Sequence, residues 1–186
     1  GIGPTAGSSH HSLYYRMPGV KIISPMTPNE YRYTYKEFMK QDDVFYVSEN
    51  RASYNQKKEF KNIIKKKLDL ILMPISVTRI AADKAVSNLR NLGLKIGIIH
   101  LVNLKPFKIS KKWIQAIKNS KYGVLMTDND YKDGVLRILA HKINEKTNKR
   151  VHLMGLKDKS AGHHKKVDNL PPTVKEIKNK ILEIIK

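Results

Sequence analysis

The chain has 186 residues, 40% of them hydrophobic, and a formal net charge of +20. This apolar fraction excludes a disordered polymer, and the length is sufficient to bury a full core. No run approaches the roughly 18 apolar residues that a membrane span requires, and the N-terminus lacks a signal-peptide pattern. The absence of cysteine excludes disulfides and thiolate zinc sites. We therefore expect a soluble, cytoplasmic protein.

The positive charge has two interpretations. Clustered lysines and arginines release counterions from a phosphate backbone, which would indicate a nucleic-acid surface. The excess is mostly lysine scattered over predicted helix faces, with short clusters at 65–67, 111–112 and 165–166. No aromatic RNA-binding signature, zinc-finger spacing or basic heptad region accompanies it. We expect solvated faces, disfavour nucleic acid as a partner, and leave acidic proteins open.

The first part of the chain predicts a strand, a helix and a second strand. Residues 21–23 are typical of a short buried strand, and residues 27–30 (Thr-Pro-Asn-Glu) predict a helix start with a capping box. Residues 44–47 are β-branched and aromatic, which predicts a strand. Between them, apolar residues at helical spacing predict a core-facing stripe up to about Lys40: Tyr31, Tyr35, Phe38 and Met39.

The second part alternates strands with helices. Residues 51–67 are mostly polar and predict an interdomain linker. Strands are predicted at 70–73, 96–99, 123–127 and 151–153, and helices at Thr78, Ser110, 134–146 and Thr173. Gly93 is expected to end the helix that Thr78 caps. This alternation predicts a three-layer αβα fold, in the α/β class, with a mostly parallel sheet.

His10 and His11 form the strongest candidate for chemistry, within a segment rich in glycine and serine at residues 3–12. Such a loop lets the backbone approach a ligand, and an imidazole moves protons near neutral pH. These ten residues by themselves favour a frayed, solvated terminus over an active-site loop. No glycine fingerprint for dinucleotides or nucleoside triphosphates is present.

The residues that follow resemble a known family. Residues 17–25 and 40–50 resemble the β subunit of the decarboxylating component of 2-oxoacid dehydrogenase complexes. This subunit belongs to the transketolase-like group of thiamine diphosphate enzymes. Residues 94–107, 127–131 and 170–174 are similar to later segments of the same subunit, in the same order.

The resemblance implies a division into two domains. Residues 1–55 match the C-terminal part of a pyrimidine-binding domain, residues 56–67 the linker, and residues 68–186 a transketolase C-terminal-type domain. It also implies a role for the histidines, because His11 and Ser12 match a family tripeptide that faces the cofactor. His11 would transfer a proton to the substrate carbonyl or stabilise the intermediate, and His10 would bind substrate nearby. Only six residues separate His11 from Pro18, which is shorter than the family loop.

The implied cofactors are thiamine diphosphate and magnesium. In the family, a glutamate and an aromatic residue that bind the pyrimidine lie upstream of the histidine loop, and the diphosphate and magnesium motif belongs to the α subunit. The first residue is Gly1 rather than methionine, which indicates an artificial or processed start. We therefore expect a chain that is catalytically silent alone and needs an α-type subunit. A lipoyl acyltransferase core and a second copy of the chain are further expected partners.

Acidic residues mark two further candidates. Asp42 and Asp43 lie where the family places oxygens around a structural monovalent cation such as potassium, although ordinary turn acids fit equally. Asp128, Asp130 and Asp133 follow a predicted strand and lack the regular spacing of a hard-cation loop. We interpret these three as charge compensation at a helix N-terminus.

The remaining histidines carry weaker expectations. His163 and His164 precede two lysines, and a solvated loop is favoured over a metal site because no second ligand group stands at usable spacing. His100 and His141 are interpreted as structural histidines.

The predicted function is oxidative decarboxylation of a 2-oxoacid with acyl transfer to lipoamide, by an assembly of which this chain is part. A transketolase or deoxyxylulose-phosphate synthase relative is the alternative, with Arg16 or Arg79 available for a sugar phosphate. The other alternative is a non-catalytic dimerisation and docking module that uses the lysine-rich faces.

Overall fold

Two sheets organise the protein. A computed structural model describes residues 8–160 and 169–186. Strands β1 (Lys21–Ile23), β2 (Phe45–Val47) and β5 (Asn103–Lys105) form a three-stranded sheet in the order β2-β1-β5. Strands β3 (Leu70–Pro74), β4 (Ile96–Ile98), β6 (Val124–Tyr131) and β7 (Val151–Leu156) form a four-stranded sheet in the order β4-β3-β6-β7.

Helices surround these sheets. The described residues contain α1 (His11–Tyr15), α2 (Pro28–Phe38), α3 (Thr78–Asn91), α4 (Lys111–Lys118), α5 (Val135–Thr147) and α6 (Val174–Ile185), and a 3-10 turn at Arg51–Ser53. None of these helices is long and apolar enough to cross a membrane.

The four-stranded sheet is parallel throughout and carries the main core. All five residues of β3 are buried, as expected for a strand covered on both faces. Ile71 and Met73 face α4 and α5, whereas Leu70 and Leu72 face α3 and α6. The predicted three-layer α/β fold with a mostly parallel sheet is therefore confirmed.

The smaller sheet contains strands from both of the predicted domains. β1 pairs in parallel with β2 and antiparallel with β5, which ends at the cis Lys105–Pro106 peptide bond. In the predicted linker, Ile63 forms an antiparallel bridge with Ile98 of β4. Residues 68–186 thus contribute a strand to the sheet of residues 1–55. The two-domain division stays a prediction.

Two helix starts follow their sequence signals. The hydroxyl of Ser110 accepts the main-chain N–H of Trp113 at 3.2 Å and caps α4. Thr173 and Glu176 form a complete capping box at the start of α6. Gly93 ends α3 with a φ of +86°, the left-handed conformation that glycine adopts without strain.

Two other predicted caps are wrong. Thr27 is the N-cap residue of α2, which begins at Pro28 as predicted, but the capping box does not form because the Thr27 hydroxyl donates to the Glu59 carboxylate. Thr78 is the first residue of α3 rather than its cap, and its hydroxyl donates to the carbonyl of Ile75 at 2.6 Å. A distant carboxylate accepts from Thr27, and main-chain carbonyls accept from Thr78, so neither hydroxyl caps its helix.

The aromatic stripe of α2 is also not a core face. Tyr35, Phe38 and Met39 are 47%, 42% and 80% exposed, and Tyr31 is only partly buried, with its hydroxyl 2.6 Å from that of Ser53. Helical spacing identifies an apolar face but not the element that covers it. The Phe45 ring of β2 contacts Phe38, with ring centroids 5.4 Å apart, but leaves most of this face exposed.

We predict opposite responses at two glycines to replacement by alanine and by asparagine. At Gly93 a Cβ has open space but the φ is positive, so asparagine should be tolerated better than alanine. At Gly97 a Cβ would lie 2.6 Å from Leu68 Cδ1 and 2.9 Å from the Ile63 carbonyl oxygen. Alanine there should lower the free energy of unfolding by about 1–3 kcal/mol, and the larger asparagine by more.

Urea unfolding of the four variants tests this prediction. If asparagine were tolerated better than alanine at both positions, close packing would not be the reason that Gly97 excludes a side chain.

Candidate active site

A buried histidine–aspartate pair lies at the carboxyl end of β6. Nδ1 of His11, the first residue of α1, lies 3.2 Å from Oδ2 of Asp128. Both side chains are completely inaccessible to solvent. Nε2 of His11 is buried without a hydrogen-bond partner in the described part of the chain. Such unpaired buried groups are uncommon and often occur at functional sites.

Ser12 makes a second link between α1 and the same strand. Its main-chain N–H and its hydroxyl both donate to Asp130 Oδ2, at 2.7 and 2.9 Å. The hydroxyl also accepts the N–H of Val135, the first residue of α5, at 2.8 Å. A Cβ on Gly134 would overlap the Ser12 hydroxyl. The serine therefore sits directly against the start of α5, where only glycine leaves room for it.

Ser9 completes the attachment of the N-terminal segment. Its hydroxyl lies 2.5 Å from Asn129 Oδ1 and 3.3 Å from the hydroxyl of Ser76, which follows β3. The hydroxyl of Tyr46 in β2 donates to the Ser9 carbonyl at 2.6 Å. Open α/β sheets bind ligands at the carboxyl ends of their strands. Here the Ser9–Ser12 segment lies across that edge.

The structure distinguishes the two histidines. His11 is fully buried in its pair with Asp128, whereas His10 is partly exposed, with Nδ1 3.3 Å from the hydroxyl of Ser8. His10 also has a left-handed backbone with a φ of +54°. The resemblance prefers His11 for proton transfer, but His10 is the histidine that solvent reaches. Their catalytic roles stay predictions.

His11, Asp128 and Asp130 are close enough to hold a metal ion, with one ligand atom of each within 4.8 Å of the others. Their oxygens are already engaged, however. Asp128 Oδ1 accepts the N–H of Asn129 at 2.8 Å, and Asp130 Oδ1 accepts that of Tyr131 at 2.7 Å. We therefore interpret the group as a hydrogen-bonded anchor for α1.

A second buried cluster surrounds Arg79 of α3. Its guanidinium donates to both carboxylate oxygens of Glu30, at 2.7 and 2.5 Å, and its Nε lies 3.4 Å from His100 Nδ1. The Phe60 ring stacks on His100 at 4.7 Å and contacts Arg79 at 4.8 Å. Burial, and then the positive charge of Arg79, lower the pKa of His100 to about 3. His100 is neutral at physiological pH. Its Nε2 is buried without a hydrogen-bond partner in the described part of the chain, so the interpretation as a satisfied structural histidine stays a prediction.

Comparisons with known proteins agree with this architecture. No family model matches the sequence, and no curated protein matches it. A solved split-gene transketolase, described as an inactive β4 tetramer, aligns with a TM-score of 0.73 and 15% identity over 96% of this chain and 61% of its own. The chain has the transketolase C-terminal-type fold.

Two further solved structures share this transketolase-type fold. A transketolase variant from Pichia stipitis aligns with a TM-score of 0.68 and 14% identity over 98% of this chain and 28% of its own. The 2-oxoglutarate:ferredoxin oxidoreductase from Magnetococcus marinus gives 0.51 and 17%, over 86% and 24%. At these identities the similarity shows the fold alone. The chain spans less than two thirds of each of these proteins.

The other sequence-predicted sites lie apart from this edge. Asp42 and Asp43 are exposed, and Asp43 Oδ2 lies 2.5 Å from Lys21 Nζ. They belong to no cluster of three potential metal ligands in the described ranges, and the potassium site stays a prediction. His141 is exposed on α5, 3.4 Å from Glu145. The histidines at 163 and 164 lie outside the described residues.

Sequence reasoning missed the role of Asp128 and Asp130, which it placed after the predicted strand rather than within it. Only Asp133 behaves as the helix interpretation requires, by pairing with Arg137 in the first turn of α5. Asp128 and Asp130 lie within β6 and bind α1 instead. A usable signal was present, because polar residues at the carboxyl end of a parallel strand mark the edge where sites form.

We predict that Asp128→Asn lowers the free energy of unfolding by about 1–3 kcal/mol, because it weakens the buried bond that holds His11. Asp133→Asn, at a partly exposed acid two residues before α5, should change it by less than about 0.5 kcal/mol. If the two variants changed the free energy of unfolding equally, as measured by urea unfolding, Asp128 would not be an anchor for α1.

We also predict a pH dependence from His100. The unfolded chain binds a proton at this residue near pH 6.5, whereas the folded protein does so only at about pH 3. The unfolded state therefore binds more protons in this window, so the contribution is complete above pH 6.5 and is lost as the pH falls towards 3. His100→Gln should flatten the decline in unfolding free energy over this range.

The exposed His141→Gln is the matched control and should keep the wild-type slope. A wild-type slope in His100→Gln would contradict the prediction. Urea unfolding at a series of pH values measures both.

Proposed function

We propose that this chain is part of the β subunit of a thiamine diphosphate-dependent 2-oxoacid dehydrogenase. The reaction is oxidative decarboxylation of a 2-oxoacid with transfer of the acyl group to lipoamide. The sequence resemblance and the transketolase-type fold support the assignment. The observation that carries it is the His10-His11-Ser12 segment, held at the carboxyl edge of the parallel sheet by Asp128 and Asp130.

The residues present fit one side of a cofactor site. The carboxyl edge offers one partly exposed imidazole, on His10, and one buried nitrogen without a partner, on His11. Both suit hydrogen bonding to a polar ligand. In the family that this chain resembles, the α subunit supplies the residues that bind the diphosphate and the magnesium ion. When bound, thiamine diphosphate supplies the carbanion-stabilising chemistry of the decarboxylation.

We assign different roles to the two histidines. His10 moves the proton, because it is the accessible imidazole of this segment and an imidazole can accept and donate a proton. His11 is a positioning residue. Its bond to Asp128 and the bonds of Ser12 to Asp130 hold the backbone next to His10 in position. This assignment reverses the order that the resemblance implies.

The proposed site needs partners. An α-type subunit would complete the cofactor site, a lipoyl acyltransferase core would accept the acyl group, and a second copy of the chain would form a dimer. The split-gene transketolase chain is described as an inactive β4 tetramer. That description supports both self-association and the absence of activity in the chain alone.

A transketolase-like sugar-phosphate enzyme is the second candidate, and the transketolase neighbours favour it. This reaction needs cations for the phosphate. Arg79 does not suit that role because it is buried and bonded to Glu30 through both terminal nitrogens. Arg16 is exposed and remains available. Only one of the two candidate phosphate-binding arginines is therefore available, and for this reason we prefer a 2-oxoacid substrate.

Calorimetric titration of thiamine diphosphate with magnesium tests the proposal. We expect no binding heat with this chain alone, since it holds only one side of the site, and saturable binding when an α-type subunit is added. In the assembly, His10→Ala should lower 2-oxoacid turnover about 10²–10⁴-fold, the usual contribution of a proton-transfer group. Arg16→Ala is the matched control and should leave this turnover unchanged.

Tight binding to the chain alone would refute the shared site. Turnover of sugar phosphates that depends on Arg16, without turnover of 2-oxoacids, would establish the second candidate instead.

A further inference from the structure

The amino edge of the four-stranded sheet is strongly basic. Because its strands are parallel, the residues that precede them meet at one edge, opposite the edge that holds His11. Main-chain bonds connect these segments: Asp69 N–H donates to the Lys95 carbonyl at 2.8 Å, and Lys121 N–H to that of Leu68 at 3.0 Å. The cations that precede the strands are Lys65, Lys66, Lys67, Lys95, Lys121, Lys149 and Arg150.

A pocket of about 520 Å³ opens at this edge, between the segment before β3 and the end of α3. We call it the basic pocket. Five of its eight lining residues are basic and none is acidic. The lining residues are Lys65, Lys66, Lys67, Leu68, Arg90, Gly93, Leu94 and Lys95.

The five charges of the basic pocket are not neutralised by ion pairs. Every Lys or Arg ion pair in the described parts of the chain involves other residues. Asp69 lies close by, where its carboxylate accepts the main-chain N–H of Lys95 at 3.0 Å. A sphere of the pocket's volume has a radius of about 5 Å, below the Debye length of about 8 Å at physiological salt, so the charges reinforce one another.

Helix capping does not account for this concentration of charge. The C-terminus of α3 carries about half a negative charge, which one cation such as Arg90 compensates. Lys65, Lys66 and Lys67 belong to a separate segment and add three further charges to the same cavity. The positive charge that the helix C-terminus does not compensate is available to bind an anionic ligand.

Arg90 gives the basic pocket a fixed hydrogen-bond donor. One of its terminal nitrogens donates to the Ile96 carbonyl at 2.9 Å, which orients the guanidinium. The remaining N–H groups of that planar fork match the geometry of phosphate oxygens. The exposed lysines serve as mobile point charges around it. The combination suits an anion with several oxygens.

We propose that the basic pocket, with its five cations, binds a small polyanion that carries three or more phosphate groups. Its volume lies in the range of roughly 300–1,000 Å³ that is typical of small-molecule sites. A single-stranded nucleic acid needs aromatic platforms for its bases, and the lining contains no aromatic residue. The concave shape and the lining therefore favour a small ligand over a polymer. The proposal is independent of the thiamine diphosphate assignment, which concerns the opposite edge.

Calorimetry with sodium tripolyphosphate, at physiological salt and without metal, tests the proposal. We expect one saturable site on the wild-type chain. Lys66→Gln with Lys67→Gln should weaken binding at least about tenfold, because two of the five charges are lost. Arg90→Lys should also weaken it, since the charge stays but the planar fork is removed. Thermal unfolding confirms that each variant is folded.

The matched control is Lys111→Gln with Lys112→Gln, which removes two exposed lysines outside the basic pocket. This variant should bind within about twofold of wild type, while citrate, a tricarboxylate of lower charge, should bind more weakly than tripolyphosphate. Equal weakening by the two double variants would show diffuse attraction and overturn the site. Absence of saturation, equal binding of citrate, or binding only to a 20-nucleotide single strand would overturn it as well.

Discussion

The attachment of a short N-terminal segment to the end of β6 is the constraint on which the candidate site depends. His11 and Ser12 each bond to an acidic side chain of that strand, and Asp128 and His11 are completely buried. Breaking a buried hydrogen bond costs more than making it contributes, because the group left behind is neither solvated nor paired. The segment is therefore held in one position although α1 has only five residues.

This attachment changes what the carboxyl edge of the sheet can do. The edge where an α/β fold ordinarily binds ligands is covered by the chain's own residues. His11 becomes part of the interior, and the adjacent His10 keeps access to solvent. The same parallel topology brings lysines together at the opposite edge, where nothing acidic lines the pocket between them. One sheet thus separates a buried polar anchor from a basic cavity.

Local sequence signals succeeded where the bonding partners are local. Ser110 and Thr173 cap their helices as predicted, because each hydroxyl finds an N–H three residues along the chain. Thr27 has the same signal but bonds to Glu59, and Glu30, its expected capping partner, holds Arg79. The aromatic face of α2 failed for a related reason. Periodicity records which residues share a face, and burial depends on what packs against it.

The sequence by itself determined the strands and helices other than α1 and β5, the three-layer α/β class and the candidate histidine segment. Each of these follows from short-range patterns of apolar, turn and capping residues. Only the tertiary structure decided that Asp128 binds His11, that His10 is the accessible histidine and that five cations share one cavity. Asp128 and His11 are 117 positions apart. A contact of that separation depends on strand order and register, which no local pattern encodes.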